Sequence, residues 1–543
     1  MHALTAPLSE LAEIEEIYGE RGREPGMLLL SGCVTSQKTH LMYALGKGYA
    51  RTLIVLSSED KAKKLYEEYR FLNENTSYYP AKDLLFYQAD IHGKQLVKQR
   101  METLQMMMEA EAESQVTVIT TIDGFMDELP PEAEVKGDIL TISNGEAVEF
   151  ESLKEKIVKL GYDREAQVDG PGQFAVRGGI IDIYPLTEEL PIRIEFWGDE
   201  VDSIRTFDVD SQRSVENLEQ IVIYPADDRL GSDRKVSFIN YFDPKDTLVF
   251  LDEPARLLEK GRLAENEVEK ARENRAEEMA RTGEMEEAPE FFATDEIVKF
   301  LNRFCMIGMC ALEMKCKPFF VRKRFGIQAK SVNPYNSSFE MLTQDLKRLK
   351  RNGYRAVLIS GSRTRAKRLA EDLRDYDLSS FYSEDQEREV KPGEIMVCYG
   401  HIEVGYEYPM IKFIVISESD IFGKTKKKKK RKSYDGQKIS SFSDLKPGDY
   451  VVHENHGLGI YRGIEKIEVD KVTKDYMKIS YADGGNLYIL ATQLDQIQKY
   501  ASADAKKPKL NKLGGQEWHR TKSKVKTAVW QIAKDLVELY AVR

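Results

Sequence analysis

The sequence has few of the residues that build disulfide frameworks or metal centres. It contains five cysteines and seven histidines in 543 residues, and a sparse, odd number of cysteines excludes a disulfide scaffold. Cys305, Cys310 and Cys316 lie close together, but their spacing matches no C-x-x-C pair and their neighbours are mostly apolar. We predict buried free thiols there. His453 and His456 lie in a glycine-rich turn without further ligands, so we predict no metal site at either place.

Long apolar runs and an apolar leader are also missing. No stretch approaches the roughly 20 apolar residues that a membrane-spanning helix needs. Acidic residues occur early in the chain, at Glu10, Glu13, Glu15 and Glu16, which excludes a secretory signal or a transit peptide. With 41% hydrophobic and 10% aromatic residues, the composition is typical of a globular protein of several domains. We expect a monomeric, cytoplasmic protein without membrane contact.

Acidic residues are scarce in the last quarter of a chain whose net charge is −11. Residues 422–543 hold 26 basic and 14 acidic side chains, which leaves 54 basic and 77 acidic ones for the rest. This asymmetry predicts different partners for the two parts. Eight of the ten residues in 424–433 (KTKKKKKRKS) are basic, so this run is interpreted as a linker. Any DNA binding by it is expected to be weak, indirect or non-specific, and sensitive to salt.

One glycine is missing from a phosphate-binding pattern. The decapeptide SGCVTSQKTH follows the apolar run GMLLL. Gly32, Lys38 and Thr39 fit the P-loop pattern G-x-x-x-x-G-K-[ST], but Gln37 stands where the second glycine belongs. A side chain at that position crowds the backbone N–H groups that hold phosphate. The segment therefore predicts a degenerate nucleotide loop, a turn that still begins a helix.

Two acidic residues extend the comparison with a nucleotide site. The run DTLVFLDE predicts a buried strand that ends in Asp252 and Glu253, the position of a remnant of the acidic pair that helps to hold Mg²⁺. No second P-loop occurs in the chain, and hydrolysis needs a second lobe or another donor of an arginine. We expect no catalytic residues, no metal and no cofactor in this chain.

Strand and helix patterns alternate at the start of the chain. GMLLLSG, RTLIVLSS and QVTVITT predict strands, whereas THLMYALGKGYA and EDKAKKLYEEYRFLN predict helices, an alternation typical of a parallel α/β sheet in residues 1–126. Residues 127–225 instead predict short antiparallel strands with one exposed face. The buried strand in 226–317 returns to the first pattern and a long charged helix follows it. The antiparallel region is therefore interpreted as an insertion.

The second half of the chain predicts two further domains. RAVLISGSRTRAKRLAEDL, EIMVCYG and KFIVIS predict a small α/β domain in 318–423. After a linker at 424–444, residues 445–503 are dense in β-forming residues and turn-like Gly and Pro, which predicts a small barrel. Residues 504–543 predict a linker and a helix that reaches the last residue without a capping residue, as in a fragment of a longer protein.

Several of these stretches resemble one family. FAVRGGIIDIYP and IRIEFWGDEVDSIRTFDVDSQRS are similar to the module shared by the repair protein UvrB and the transcription-repair coupling factor Mfd. GDYVVHENHGLGIYRGIEKI, YMKISYADGGNLYIL and LNKLGGQEWHRTKSKV resemble Mfd alone. The resemblance, to the amino-terminal half of Mfd, implies a multidomain α/β protein. Its parts would be a degenerate RecA-like helicase lobe with an inserted antiparallel β domain, a small α/β domain of unknown role, and a Tudor/CarD-like β-barrel followed by a helix.

The resemblance also implies that the inserted sheet binds UvrA. The positions that match the family's contacts are Arg177, Arg193 and Trp197. Residue spacing agrees, because Arg193 and Trp197 lie four positions apart in one strand and so share a face opposite Ile194 and Phe196. Arg and Trp are frequent interface hot spots. A solvated sheet face with one chance aromatic residue is the open alternative. Because the module thought to cover this sheet in the family is absent, binding is expected to be constitutive.

The same resemblance implies that the barrel binds the RNA polymerase β subunit. Partners of such folds commonly add a strand to an exposed edge. The predicted contact strand comprises Tyr476, Met477, Lys478, Ile479 and Ser480, with Met477 and Ile479 as alternating apolar contacts. The alternative is that both apolar residues belong to the barrel core.

These implications describe an adaptor that binds stalled RNA polymerase and recruits UvrA for transcription-coupled nucleotide excision repair. ATP and Mg²⁺ would belong to a translocase module that this chain does not contain. Two alternatives stay open. One is a UvrB-like nucleotide-dependent enzyme that binds damaged DNA. The other is a stand-alone transcription factor that binds polymerase, for which the long region before the barrel has no evident use.

Overall fold

The computed structural model describes most of the chain. It divides the chain into two compact units, Met1–Leu85 with Lys98–Lys427 and Phe86–Val97 with Lys428–Arg543. The predicted basic linker at 424–444, apart from residues 437–438, and most of the predicted final helix lie outside the described residues. The described residues are 2–82, 94–111, 114–209, 211–227, 234–282, 290–385, 387–423, 437–438, 445–453, 456–469, 472–482, 484–490, 497–500, 508–512 and 518.

The first α/β domain begins with alternating helices and strands. Its first strands are apolar and buried along almost their whole length, as is typical of parallel strands covered on both faces. The predicted alternation of strands and helices is confirmed. The elements are α1 (His2–Thr5), α2 (Ala12–Glu20), β1 (Gly26–Ser31), α3 (Thr35–Gly46), β2 (Arg51–Leu56), α4 (Glu59–Tyr69), β3 (Thr76–Tyr78), α5 (Lys94–Glu109) and β4 (Val116–Thr121).

A second group of elements forms a six-stranded sheet, in the order β11-β10-β9-β8-β7-β6, and a separate antiparallel pair of β5 with β12. Leu153 and Ile157 of the helix α7 pack in one core with Ile181 and Ile194 of the sheet. One face of the sheet is therefore covered by α7. The elements are α6 (Glu132–Asp138), β5 (Leu140–Ser143), α7 (Phe150–Lys159), β6 (Asp163–Arg164), β7 (Gln173–Arg177), β8 (Ile180–Tyr184), β9 (Ile192–Trp197), β10 (Glu200–Phe207), β11 (Ser214–Leu218) and β12 (Gln220–Ile223).

The chain then returns to the first sheet. The order of this seven-stranded sheet is β15-β1-β14-β13-β2-β4-β3, and every pair in it is parallel. Because β4 precedes and β13 follows the six-stranded sheet in the chain, the six-stranded sheet is inserted into the first α/β domain. The returning elements are β13 (Thr247–Asp252), α8 (Pro254–Thr282), α9 (Thr294–Leu301), β14 (Cys305–Met309) and β15 (Val321–Gly326).

The small α/β domain packs against the first. In β17, Ala356 and Leu358 join the core formed with α10 and α11, whereas Val357 and Ile359 join the core that contains Leu41 of α3. The sheet, in the order β16-β20-β21-β17-β19-β18, therefore lies between two helices and the first domain. The elements are β16 (Lys330–Ser331), α10 (Phe339–Arg351), β17 (Arg355–Ser360), α11 (Arg363–Arg374), β18 (Ser380–Tyr382), β19 (Ile395–Tyr399), β20 (Tyr406–Tyr408), β21 (Phe413–Ser417) and α12 (Glu418–Phe422).

The carboxyl-terminal unit contains a six-stranded antiparallel sheet in the order β22-β27-β23-β24-β25-β26. Its core contains Tyr461, Met477 and Ile479. Gly457, with φ 78°, begins β24 where a Cβ would press on the Asn511 side chain. The strands are β22 (Gln437–Lys438), β23 (Tyr450–His453), β24 (Gly457–Val469), β25 (Val472–Ser480), β26 (Asn486–Leu490) and β27 (Ile497–Lys499).

Two features bear on the class of protein. All five cysteines are free and buried, as predicted for Cys305, Cys310 and Cys316. Among the described helices, none is long and apolar enough to cross a bilayer.

Candidate partner-binding surfaces and the phosphate-loop segment

In the phosphate-loop segment, residues 31–39, the loop before the helix is shorter than the sequence predicts. The predicted helix start at Thr39 is wrong, since α3 begins at Thr35. The N–H of Lys38 consequently donates to the Val34 carbonyl at 3.0 Å, and is not free to point at a ligand. Gln37 is fully buried, and its Oε1 accepts the N–H of Val34 at 3.0 Å. The side chain that replaces glycine thus occupies a backbone donor that a phosphate would otherwise use.

Lys38 is bound by the two predicted acidic residues. Its Nζ lies 2.6 Å from Asp252 Oδ1 and 2.7 Å from Glu253 Oε1, and all three side chains are nearly buried. Burial lowers the pKa of Lys38, but the Asp252 charge and the hydrogen bonds to both carboxylates outweigh it and raise the pKa. Glu253 Oε1 also accepts the N–H of Ala311 at 3.0 Å. The structure therefore brings together Lys38, Asp252 and Glu253, and Lys61 also pairs with Asp252 at 3.5 Å.

The remaining two motif residues have structural roles. Gly32 has φ 81°, and a Cβ there would collide with the carbonyl of Ile327. The hydroxyl of Thr39 lies against the buried carboxyl of Glu68. Both residues are thus explained by contacts within the fold.

On the inserted sheet, the three predicted contact residues share one face. In β9, Ile192 and Ile194 are buried while Arg193 and Trp197 lie on the opposite side, as predicted. Trp197 is 84% exposed. Arg177 ends β7 on the same face and is exposed, and its Nη2 donates to the Ala166 carbonyl at 3.1 Å.

Arg193 differs from the other two because its side chain is already bound within the sheet. Its Nε and Nη2 donate to the two carboxylate oxygens of Asp182 at 2.6 and 2.8 Å. Its guanidinium carbon lies 4.5 Å from the ring centroid of Phe207, and Gln212 accepts a further bond at 3.2 Å. The hydrogen bonds to Asp182 raise the pKa of Arg193. With only 16% of its side chain exposed, Arg193 is a rigid, recessed part of the surface.

The predicted polymerase-binding strand does not lie at an edge. Residues Tyr476 to Ser480 form part of β25, which pairs with β24 on one side and with β26 on the other. Met477 and Ile479 are fully buried in the core. The prediction that these two side chains contact a partner through strand addition at β25 is therefore wrong, because both backbone edges are already paired. Tyr476, Lys478 and Ser480 alternate with them and point away from the core.

An edge is available at β26. Within the part of the chain that the structure describes, β26 pairs with β25 alone. Tyr488, in the middle of β26, is 39% exposed. The Lys478 ammonium lies 5.5 Å from the Tyr488 ring centroid and 2.7 Å from Glu465. An exposed aromatic residue on an open strand edge is suited to strand addition by a partner.

Family models match both surfaces. The model for the UvrB interaction domain matches residues 140–228, which contain all the strands of the inserted sheets. The model for the CarD-like/TRCF RID domain matches residues 445–501, which contain β23 to β27.

Relatives match nearly the whole chain. A transcription-repair-coupling factor of Bacillus subtilis (strain 168) is 30% identical over 95% of this chain and 48% of its own length. Those of Staphylococcus haemolyticus and Staphylococcus aureus (strain MRSA252) are 29% and 27% identical, each over 98% of this chain. The chain is similar to transcription-repair-coupling factors along almost its whole length. It spans about half the length of the relatives it matches, and the resemblance seen in the sequence is confirmed.

The sequence did not reveal every residue of the inserted-sheet surface. Asp182, Phe207 and Gln212, which hold Arg193, were missed, as was the ion pair of Glu195 with Arg205. One indication was present, because Asp182 stands between the buried residues of the run IIDIY. Two neighbouring strands that carry an acidic and a basic residue among buried apolar ones have the pattern expected of a cross-strand ion pair.

Proposed function

We propose that this chain is the non-catalytic adaptor part of a transcription-repair-coupling factor. It binds stalled RNA polymerase, through the β subunit, with its carboxyl-terminal sheet, and recruits UvrA with its inserted sheet. One observation carries the proposal: Trp197, 84% exposed, stands on the open face of a matched UvrB interaction domain. Neighbouring polar groups on that face are paired with one another, so Trp197 is the large side chain left for a partner.

Trp197→Ala is expected to weaken UvrA binding by at least about 30-fold, the loss typical of a central aromatic hot spot. Isothermal titration with purified UvrA measures it. The matched control is Val158→Ala, which truncates a side chain 54% exposed on α7, the helix that covers the opposite face of the sheet. Equal affinities of the two variants would place the UvrA site elsewhere.

For the polymerase we propose strand addition at β26 in place of β25. The edge of β26 offers backbone groups, and Tyr488 supplies the exposed side chain beside it. Partner selection at such an edge depends on the alternate side chains that flank the added strand.

Tyr488→Arg is therefore expected to reduce binding of the polymerase β subunit at least about tenfold, since it places a charge against the added strand. A pull-down followed by surface plasmon resonance measures the change. Tyr500→Arg is the control, because Tyr500 is 38% exposed and follows β27, on the opposite side of the sheet. Loss of affinity in Tyr500→Arg alone would move the contact to the β22–β27 side.

We also propose that the first α/β domain is a degenerate RecA-like lobe that performs no nucleotide chemistry. The ion pairs of Lys38 with Asp252 and Glu253 support this, because a phosphate would have to displace both carboxylates. The same ion pairs disfavour the alternative of a UvrB-like nucleotide-dependent enzyme. ATP and Mg²⁺ would act in the part of the family's length that this chain does not span.

A further inference from the structure

Helix α3, which follows the phosphate-loop segment, is covered by the small α/β domain. Ten of its twelve residues are buried, although several of them are polar. Residues 401–408, which run from the end of β19 through β20, supply partners for these polar groups. The N–H of Val404 donates to Ser36 Oγ at 3.2 Å, and Tyr408 reaches His40.

In the hydrogen bond between His40 and Tyr408, the donor and the acceptor can be assigned. His40 Nε2 lies 2.6 Å from the carbonyl oxygen of Leu4, and a carbonyl only accepts, so Nε2 carries the proton. Burial lowers the pKa of His40 to about 4, so the ring is neutral at pH 7 and its Nδ1 accepts. The hydroxyl of Tyr408 therefore donates to Nδ1, at 3.1 Å. Tyr406 stacks on the His40 ring with centroids 5.1 Å apart, which fixes the ring orientation.

The 401–408 segment is held equally firmly by its own domain. Gly405 N–H donates to Asp420 Oδ2 at 2.7 Å, and the same oxygen accepts the N–H of Ser417 at 2.8 Å. A Cβ on Gly405 would lie 2.5 Å from the Val415 carbonyl oxygen. The segment is thus a rigid connection between the core of the small domain and α3.

We propose that the 401–408 segment stays permanently bound to α3, the helix that follows the phosphate-loop segment. It uses the polar groups of α3 and thereby holds the two α/β domains in one arrangement that nucleotide does not change. This gives the small α/β domain a function: it fixes the decayed lobe in a single conformation. The proposal is independent of UvrA and polymerase binding.

Hydrogen exchange of the full chain, followed by mass spectrometry, tests this. In Tyr408→Phe the acceptor on His40 loses its donor, and we expect amides of α3 and of the 401–408 segment to exchange about tenfold faster. Amides of the inserted sheet should be unchanged. Tyr354→Phe is the matched control, because it removes a hydroxyl bond of 2.8 Å to Glu407 on the same strand. Millimolar Mg·ATP should leave the exchange of the unsubstituted chain unaltered.

A second pair of variants covers the case in which the fold tolerates the loss of the Tyr408 hydroxyl. Gly405→Ala should displace the segment and also speed exchange in α3, whereas Gly137→Ala, where a Cβ meets nothing within 4 Å, should not. The proposal is overturned if α3 exchanges at its original rate in both Tyr408→Phe and Gly405→Ala. It is also overturned if Mg·ATP changes exchange in the 401–408 segment of the unsubstituted chain.

Discussion

Replacing Arg193 by alanine is expected to lower the free energy of unfolding by about 3 kcal/mol, because it leaves a buried carboxylate without its cation. The side chain of Asp182 is only 4% exposed. Both of its oxygens accept from Arg193. The value is at the lower end of the range for broken buried pairs, since Arg193 keeps some contact with water. Urea denaturation, followed by the circular dichroism of the chain, measures the change.

A double-mutant cycle separates the pair from its surroundings. Asp182→Asn combined with Arg193→Ala should restore much of the lost stability, because no unpaired charge then remains in the sheet. Arg177→Ala serves as the control, because it removes an exposed arginine from the same face and is expected to change stability by less than about 0.5 kcal/mol. An Arg193→Ala chain as stable as the Arg177→Ala chain would mean that Asp182 is solvated after all.

This expectation changes how the proposed UvrA-binding surface is tested. From the sequence alone, removal of Arg177, Arg193 and Trp197 together is expected to abolish binding without changing the melting temperature. The ion pair with Asp182 argues against that outcome, because loss of Arg193 damages the sheet itself. A binding defect of the triple variant would not distinguish a lost contact from a lost fold. Trp197, which has no such buried partner, is the cleaner probe.

The face of β9 was predictable from sequence, whereas the support of Arg193 was not. Alternation has a period of two, so Ile192 and Ile194 placed Arg193 and Trp197 on the opposite face without knowledge of any neighbour. The partner of Arg193 depends on the register between β8 and β9, in which Asp182 lies opposite Arg193. That register is set by the loop between the strands and by packing on α7, and neither is a local property of the sequence.

The position of β25 was unpredictable for a related reason. A strand with alternating apolar residues reads the same at an edge as in the middle of a sheet, and only the order of the strands decides. Met477 and Ile479 follow that pattern, and their burial results from pairing with β24 and β26. Composition and turn residues indicated a small β domain at 445–503, but strand order is a long-range property that no turn residue specifies.

The start of α3 shows a third kind of error. The motif comparison placed the helix after the lysine, as in a working phosphate loop. In this chain Gln37 reaches back to the N–H of Val34, which satisfies a donor at the helix start and allows the helix to begin at Thr35. With Gln37 at this position, the segment forms an additional helical turn where the phosphate-loop pattern would have a loop. The sequence indicated that Gln37 departs from the phosphate-loop pattern, and the geometry shows what its side chain does instead.

Helix α3 also contacts Glu68, a carboxyl group whose pKa is strongly raised. Glu68 of α4 is 5% exposed and lies against the hydroxyls of Ser36 and Thr39 and the backbone N–H of Glu403. Burial raises its pKa from 4.5 to about 8. Lys64 is paired with the carboxylate of Glu403 at 3.5 Å. Glu68 is therefore mostly protonated at neutral pH.

The stability of the chain should consequently fall with rising pH. Because the folded-state pKa lies above the unfolded value, the stabilisation is complete below pH 4.5 and is lost as the pH rises towards 8. Glu68→Gln keeps the shape without the charge, so at pH 9 it should be more stable than the original chain by on the order of 3 kcal/mol. At pH 4.5 the two chains should be nearly equal.

Denaturation curves measured between pH 4.5 and 9 test this expectation. Glu67→Gln is the control, since Glu67 neighbours Glu68 on α4 but is exposed, so its removal should change the slope little. Parallel pH profiles of the original chain and Glu68→Gln would show that Glu68 is ionised in the fold. A profile flattened only in Glu68→Gln would instead show that the contact between α3, α4 and the 401–408 segment depends on an uncharged carboxyl group. That contact is then strongest in acid and weakens as the pH rises, with no nucleotide involved.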